Sequence, residues 1–219
     1  MTTIASNPHE AAAPARFANG AEWLHALGDV PLERVVMNPP PGMATEQDLL
    51  TFVDRDKRLV ELIDGTLVEK PVGWLESQIA LRLAMALGNF VYPRRLGAIA
   101  GEAGPLRMRR GQVRLPDISF TSAADLPGGK FPHEPIPALP PTLAVEVLSE
   151  SNTPKEMRRK IGEYFESGAK LVWIIDPPPR TIAISDAPTV KSKGVLFVYE
   201  HLDTLMGGAV KQFVKEVAA

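Results

Sequence analysis

LAVEVLSESNTPKEMRRKIGEYFESGAKLVWIID, residues 143–176, reads as strand, helix, strand. Leu143 to Leu148 is a short apolar run of the kind that forms a buried strand. Thr153 then offers a side-chain oxygen to the free amides of a new helix, Pro154 suits its first turn, and Glu156 completes a capping box. Gly168 tolerates the left-handed conformation that ends a helix. LVWIID, 171–176, follows as a second, wholly apolar strand. One letter is out of place. Glu146 sits in the middle of the first strand, where an unpaired ionised carboxylate costs several kcal/mol.

Side chains alternate along a strand, so Glu146 shares a face with Ala144 and Leu148. An Arg or Lys, a proton or a metal ion could satisfy it. A Glu–Arg pair at a strand end and a functional carboxylate are about equally good readings of the strand taken alone. Asp117 shifts that balance. It lies in RLPDISF, 114–120, inside a second expected strand whose other face carries Ile118 and Phe120. Two acids on adjacent buried strands raise each other's cost. A hard divalent cation removes the difficulty, because magnesium takes one or two carboxylates and fills its other positions with water and phosphate oxygens.

On the following helix, Met157, Ile161, Tyr164 and Phe165 make the inward stripe, and Lys160 falls within it. Its ammonium either snorkels to water or stands beside Glu146, where it could stabilise charge on a phosphate or orient a water. Glu76 opens another helix; the helix dipole alone accounts for it there. Glu61 and Asp64, in a hairpin, read as surface or turn residues. Arg94, Arg95, Arg107, Arg109, Arg110 and Arg114 face the single Glu102 between 94 and 114, a local excess of five positive charges. Such a run is either a solvated basic loop or a set of phosphate contacts beside an acidic site.

Outward from this centre, residues 1–20 carry no periodicity and read as a mobile tail. AEWLHALGDV reads as a short helix, and PLERVVMNPPPGMA as extended chain. Thr45 caps a helix over EQDLLTFVD. LVELIDGTLVEK is a hairpin about Asp64-Gly65. WLESQIALRLAMALGNFV is the clearest helix, with Leu75, Ile79, Leu83, Ala86 and Phe90 on one stripe, and Pro93 ends it. LGAIAGE and GQVRLPDISFTS read as strands, LPGGKFPHEPIPALPP as a proline-rich loop, and TIAIS and GVLFVYE as closing strands. The expected class is mixed α+β, with a central mixed sheet flanked by helices. Residues 1–43 form an N-terminal tail and extension whose apolar positions could dock on the core, and 44–219 form the main domain.

The 219 residues, 45% hydrophobic, are enough for one sizeable core. A net charge of −2 demands no nucleic-acid or membrane partner of the molecule as a whole, so such a partner must be met locally. The absence of cysteine excludes disulfides, thiolate metal sites and cysteine nucleophiles. The start lacks the apolar core of a signal peptide, and the longest apolar stretch, interrupted by Arg82, is short for a bilayer span. A cytoplasmic protein is the expectation.

ELIDGTLVEKPVG, the helix beginning WLES, LPDISF and the run from Val145 to Asp176 together resemble the Uma-two family of restriction-endonuclease-like proteins, within the PD-(D/E)xK nuclease superfamily. The resemblance spans about residues 44–205. It implies a restriction-endonuclease-like core and a Mg²⁺-dependent endonuclease (Mn²⁺ as substitute) that hydrolyses DNA. By resemblance, Asp117 and Glu146 take the two strand positions of a metal site and Glu76 the helix position. The superfamily's usual lysine lies two residues after the strand acid, where this chain has Leu148; the resemblance moves that role to Lys160. The six arginines would hold the nucleic-acid backbone. A homodimer follows by analogy with enzymes that cut two strands. The rival readings are a catalytically silent nuclease fold serving as a nucleic-acid-binding or regulatory module, and a small-molecule or RNA hydrolase with the same metal chemistry.

Overall fold

The computed structural model describes residues 17–185 and contains two β-sheets. The first helix, α1, Gly20–Ala26, is capped by the Asn19 side chain. α2, Glu46–Asp56, starts on a capping box between Thr45 and Asp48. The hairpin forms as its Asp64-Gly65 turn dictates. β1, Val60–Ile63, pairs antiparallel with β2, Thr66–Glu69. Both turn residues have positive φ, 47° and 73°, the geometry that twists two strands together. Later come β4, Leu106–Arg109, and β5, Gln112–Arg114, which complete an antiparallel sheet in the order β2-β1-β5-β4. Strand β4 was not expected from the sequence.

The second sheet is mixed. It contains β3, Gly97–Gly101; β6, Ile118–Ser122; β7, Leu143–Val147; β8, Leu171–Asp176; and β9, Thr181–Ser185. Their order is their order in the chain, with β7 and β8 parallel and every other pair antiparallel. The parallel pair needs a crossover, and α4, Pro154–Ser167, supplies it. Its Thr153–Glu156 capping box and its Gly168 stop, at φ 111°, form as read from the sequence.

Helix α3, Trp74–Val91, covers one face of this sheet. Ile79, Leu83, Leu87 and Val91 pack on Ile118, Phe120, Val145, Val147, Trp173 and Ile175. The buried stripe is therefore rotated from the expected one. Leu75 is 52% exposed. The opposite face carries α4 through Ala144, Tyr164, Val172 and Ile174. The antiparallel sheet has its own core, Leu49 and Phe52 of α2 against Val60, Leu62, Leu67 and Val113. Leu27, Val30 and Val35, from the segment after α1, pack on Ile63 and Val68 of its hairpin.

A further expectation changes. GQVRLPDISFTS is not one strand but two, β5 in one sheet and β6 in the other, with Leu115-Pro116-Asp117 as the bend between them. Proline cannot donate to a ladder, which favours a break there. The expected mixed α+β class holds, with the mixed sheet flanked by α3 and α4, and beside it stands a second, antiparallel sheet that α4 also reaches. The tail over 1–16 and the strand GVLFVYE lie outside the described residues. Among the described residues no helix is long and apolar enough to cross a membrane.

Candidate active site

Glu146 points to the face of β7 that carries α4, as alternation requires, since Leu143, Val145 and Val147 face α3. On α4, Lys160 and Tyr164 stand one turn apart and so share a face. Lys160 Nζ lies 3.3 Å from both carboxylate oxygens of Glu146, and Tyr164 Oη donates to Oε1. All three residues are at most 4% exposed. Lys160 does not snorkel. Burial pushes the Glu146 carboxyl upward and the Asp117 charge adds to that; Lys160 pulls it down without cancelling them.

Asp117 occupies the bend at the start of β6, beside the end of β7. Its Oδ2 accepts from the Val147 amide at 2.6 Å, so it hangs on the residue that follows Glu146. Its Oδ1 lies 2.7 Å from Lys70 Nζ. Lys70 follows directly on β2 and donates also to the Leu115 carbonyl at 2.6 Å. Glu76, in the first turn of α3, completes the group. A Cβ on Gly73 would lie 1.9 Å from Glu76 Oε2, so only glycine lets this carboxylate fold back over the helix start. One pocket is lined by Lys70, Glu76, Glu102, Asp117, Glu146 and Lys160 with neighbouring residues. The three acids expected to act together are thus gathered from α3, the β5–β6 bend and β7, with Lys160 brought to them by α4.

Behind the pocket lies a buried ion network. Lys160 Nζ also reaches Glu61 Oε1 at 3.2 Å, and Glu61 Oε2 accepts from Arg114 at 2.7 Å. Arg114 Nε donates to Glu163 at 2.6 Å; Arg159 joins Glu163 to Asp64, at 2.5 and 2.6 Å. Burial pushes the Glu61 carboxyl up, but the charges of Lys160 and Arg114 win and hold it at about 2. Lys160 is penalised by the same burial, and Glu146 and Glu61 nevertheless keep its ammonium above the usual lysine range.

Two expectations are corrected here. Glu61 is not a surface residue: it is 1% exposed, on the face of β1 turned to α4. The rule that singled out Glu146, an acid inside an apolar run, would have found it in LVELI as well. Arg114 does not belong with the basic surface. It is fully buried between Glu61 and Glu163, out of reach of any phosphate. The other five arginines divide: Arg107 is half-buried against Glu46, and Arg109 pairs with Asp64 while staying exposed. Arg94, stacked over the Phe90 ring, and Arg95 and Arg110 are exposed. Lys70 was missed altogether. Its only signal was a charge at the close of a buried hairpin strand, and a strand end usually places such a charge in water.

The residues can be tested against a divalent cation. Among the described residues no group of three or more His, Cys, Asp or Glu stands together as a ready metal cluster. Magnesium needs fewer, one or two carboxylates with water and phosphate oxygens completing its shell. The pocket lining carries Glu76, Glu102, Asp117 and Glu146 against Lys70 and Lys160, an excess of two negative charges. Hard oxygen donors with that excess fit one divalent cation.

A family model described as "Uma2: Putative restriction endonuclease" matches residues 46–208. Among solved structures, one titled as a putative nuclease belonging to DUF820, from Anabaena variabilis, is similar in fold. Its TM-score is 0.56 and its identity 21%, over 65% of this chain and 78% of that one. No curated protein matches.

Proposed function

Because the chain belongs to the Uma2 family of restriction-endonuclease-like proteins, we propose that it is a Mg²⁺-dependent endonuclease that hydrolyses DNA phosphodiester bonds. The observation that carries this reading is the convergence of Asp117, Glu146 and Glu76, from three separate elements, on one pocket with net negative lining. Asp117 and Glu146 would hold the metal, with Glu76 completing its coordination or ordering the water around it. When bound, such an ion lowers the pKa of an attacking water and offsets charge building on the phosphate.

The chain's own residues do the rest. Lys160 and Tyr164 hold the Glu146 carboxylate in one orientation. The Val147 amide does the same for Asp117. Arg94, Arg95, Arg109 and Arg110 would grip the nucleic-acid backbone, with Arg107 contributing once freed from Glu46. Plasmid and single-stranded DNA incubated with Mg²⁺ or Mn²⁺ test the reading. Cleavage should fall by at least about a hundredfold in Asp117→Asn and Glu146→Gln. Wild-type protein that leaves every nucleic acid intact in both metals sinks it.

One observation favours a second reading, a catalytically silent nucleic-acid-binding module: each of the two central carboxylates already has an ammonium partner. DNA retention without metal and without cleavage would select it.

A homodimer belongs to the same proposal. Trp74, Leu81, Met85 and Tyr92 are each more than half exposed and recur at helical spacing along α3. Their positions are symmetric about residue 83, so an antiparallel copy would set Trp74 against Tyr92 and Leu81 against Met85. That is the self-complementarity a two-fold interface needs. Light scattering should give twice the chain mass for wild type and a monomer for the double variant Leu81→Glu, Met85→Glu.

A further inference from the structure

Lys70 lines the same pocket and contacts one of the carboxylates proposed to hold the metal. Its ammonium contacts Asp117 Oδ1 at 2.7 Å and the Leu115 carbonyl at 2.6 Å, and only 7% of the residue is exposed. The other oxygen of Asp117 is taken by the Val147 amide at 2.6 Å. Each oxygen keeps a second lone pair, but a cation approaching Oδ1 meets the like charge of an ammonium already 2.7 Å from it, so metal binding at Asp117 competes with its present donors. The amide is fixed in β7, whereas the lysine sits at the end of a flexible four-carbon stem. The exchangeable partner is Lys70.

We infer that Lys70 is a built-in competitor for the metal: its ammonium holds Asp117 until a divalent cation takes its place, and so sets how tightly the pocket binds metal. This rests on the nuclease reading above and goes beyond it, since a metal site needs no internal rival. Lys160 does not share the role. It is held among Glu146, Glu61 and the charges behind them, so releasing one carboxylate leaves it still paired. Lys70 makes direct contact with a single carboxylate and one carbonyl. Apparent affinity falls by the fraction of molecules in which the site is open. An ammonium that blocks the site about nine-tenths of the time would weaken metal binding about tenfold.

Mn²⁺ binding to the full chain without nucleic acid, followed by the loss of the free-ion paramagnetic resonance signal, tests this apart from activity. Lys70→Gln and Lys70→Met should each bind Mn²⁺ about tenfold more tightly than wild type, and Lys70→Arg should bind like wild type. Asp117→Asn should abolish the gain. Thermal melts show which variants fold, and two neutral variants are used so that one misfolded protein does not decide the result. Tighter binding in either folded neutral variant supports the competitor. Binding equal to or weaker than wild type overturns it while leaving the metal site standing. No Mn²⁺ binding by wild type but clear binding by a neutral variant supports a complete block. No binding by any of them overturns this inference and the metal-dependent reading together.

Discussion

Two lysines reach carboxylates in the same pocket and are held in different ways. Lys160 lies between Glu146 and Glu61, with Arg114, Glu163 and Arg159 continuing the alternation of charge to the Asp64 turn. Lys70 ends on one carboxylate and one carbonyl. The first arrangement ties both sheets to α4 and makes each charge depend on several others. The second leaves a local contact that can be exchanged. A buried charge pair is weak evidence for stability in itself, but removing one member of it is costly, because the partner is left unpaired in a low dielectric. The number of partners, more than burial, separates a structural strut from an exchangeable group.

The contrast can be broken first at Arg114. Replacing it by Met leaves Glu61 and Glu163 short of a cation, and urea denaturation should show a loss of about 3–5 kcal/mol. A loss below about 1 kcal/mol would mean that the network is not what joins the sheets. Next is Glu61, whose carboxyl is held at about 2 against an ordinary 4.5. A depressed value stabilises the fold above pH 4.5, and that stability is lost as pH falls towards about 2. The difference corresponds to about 3 kcal/mol. Unfolding measured across this range should be steep for wild type and flatter for Glu61→Gln; parallel curves would refute the assignment. The smallest effect on stability is expected at the surface. Arg94, Arg95 and Arg110 changed together to Ala should alter stability by no more than about 0.5 kcal/mol each. DNA binding should nevertheless weaken, and the dependence of affinity on salt should flatten by about 0.9 per lost phosphate contact. An unchanged salt slope would exclude them from the interface.

Legibility varied from element to element for identifiable reasons. The 143–176 unit was readable because its signals are local: an apolar run, a capping box, a left-handed glycine and a second apolar run. The Asp64-Gly65 hairpin was readable for the same reason. Glu146 and Asp117 stood out because a charge in an apolar strand conflicts with its own neighbours. Arg114 did not, since a flanking cluster of arginines made it look like one more surface charge. Yet it belongs to a strand whose three residues are all buried. The break at Pro116 put it in a different sheet from β6, which begins only at Ile118.

By itself, then, the order of residues determined most of the elements, their caps and turns, and that Glu146 and Asp117 were costly where they stood. Each of these depends on periods of two or 3.6 residues and on contacts a few positions apart. Which charge answers which was decided only by the tertiary structure. Lys70 meets Asp117 across 47 positions of chain and Lys160 meets Glu61 across 99. Pairings at that separation arise from the packing of two sheets on one helix, and no local pattern encodes them.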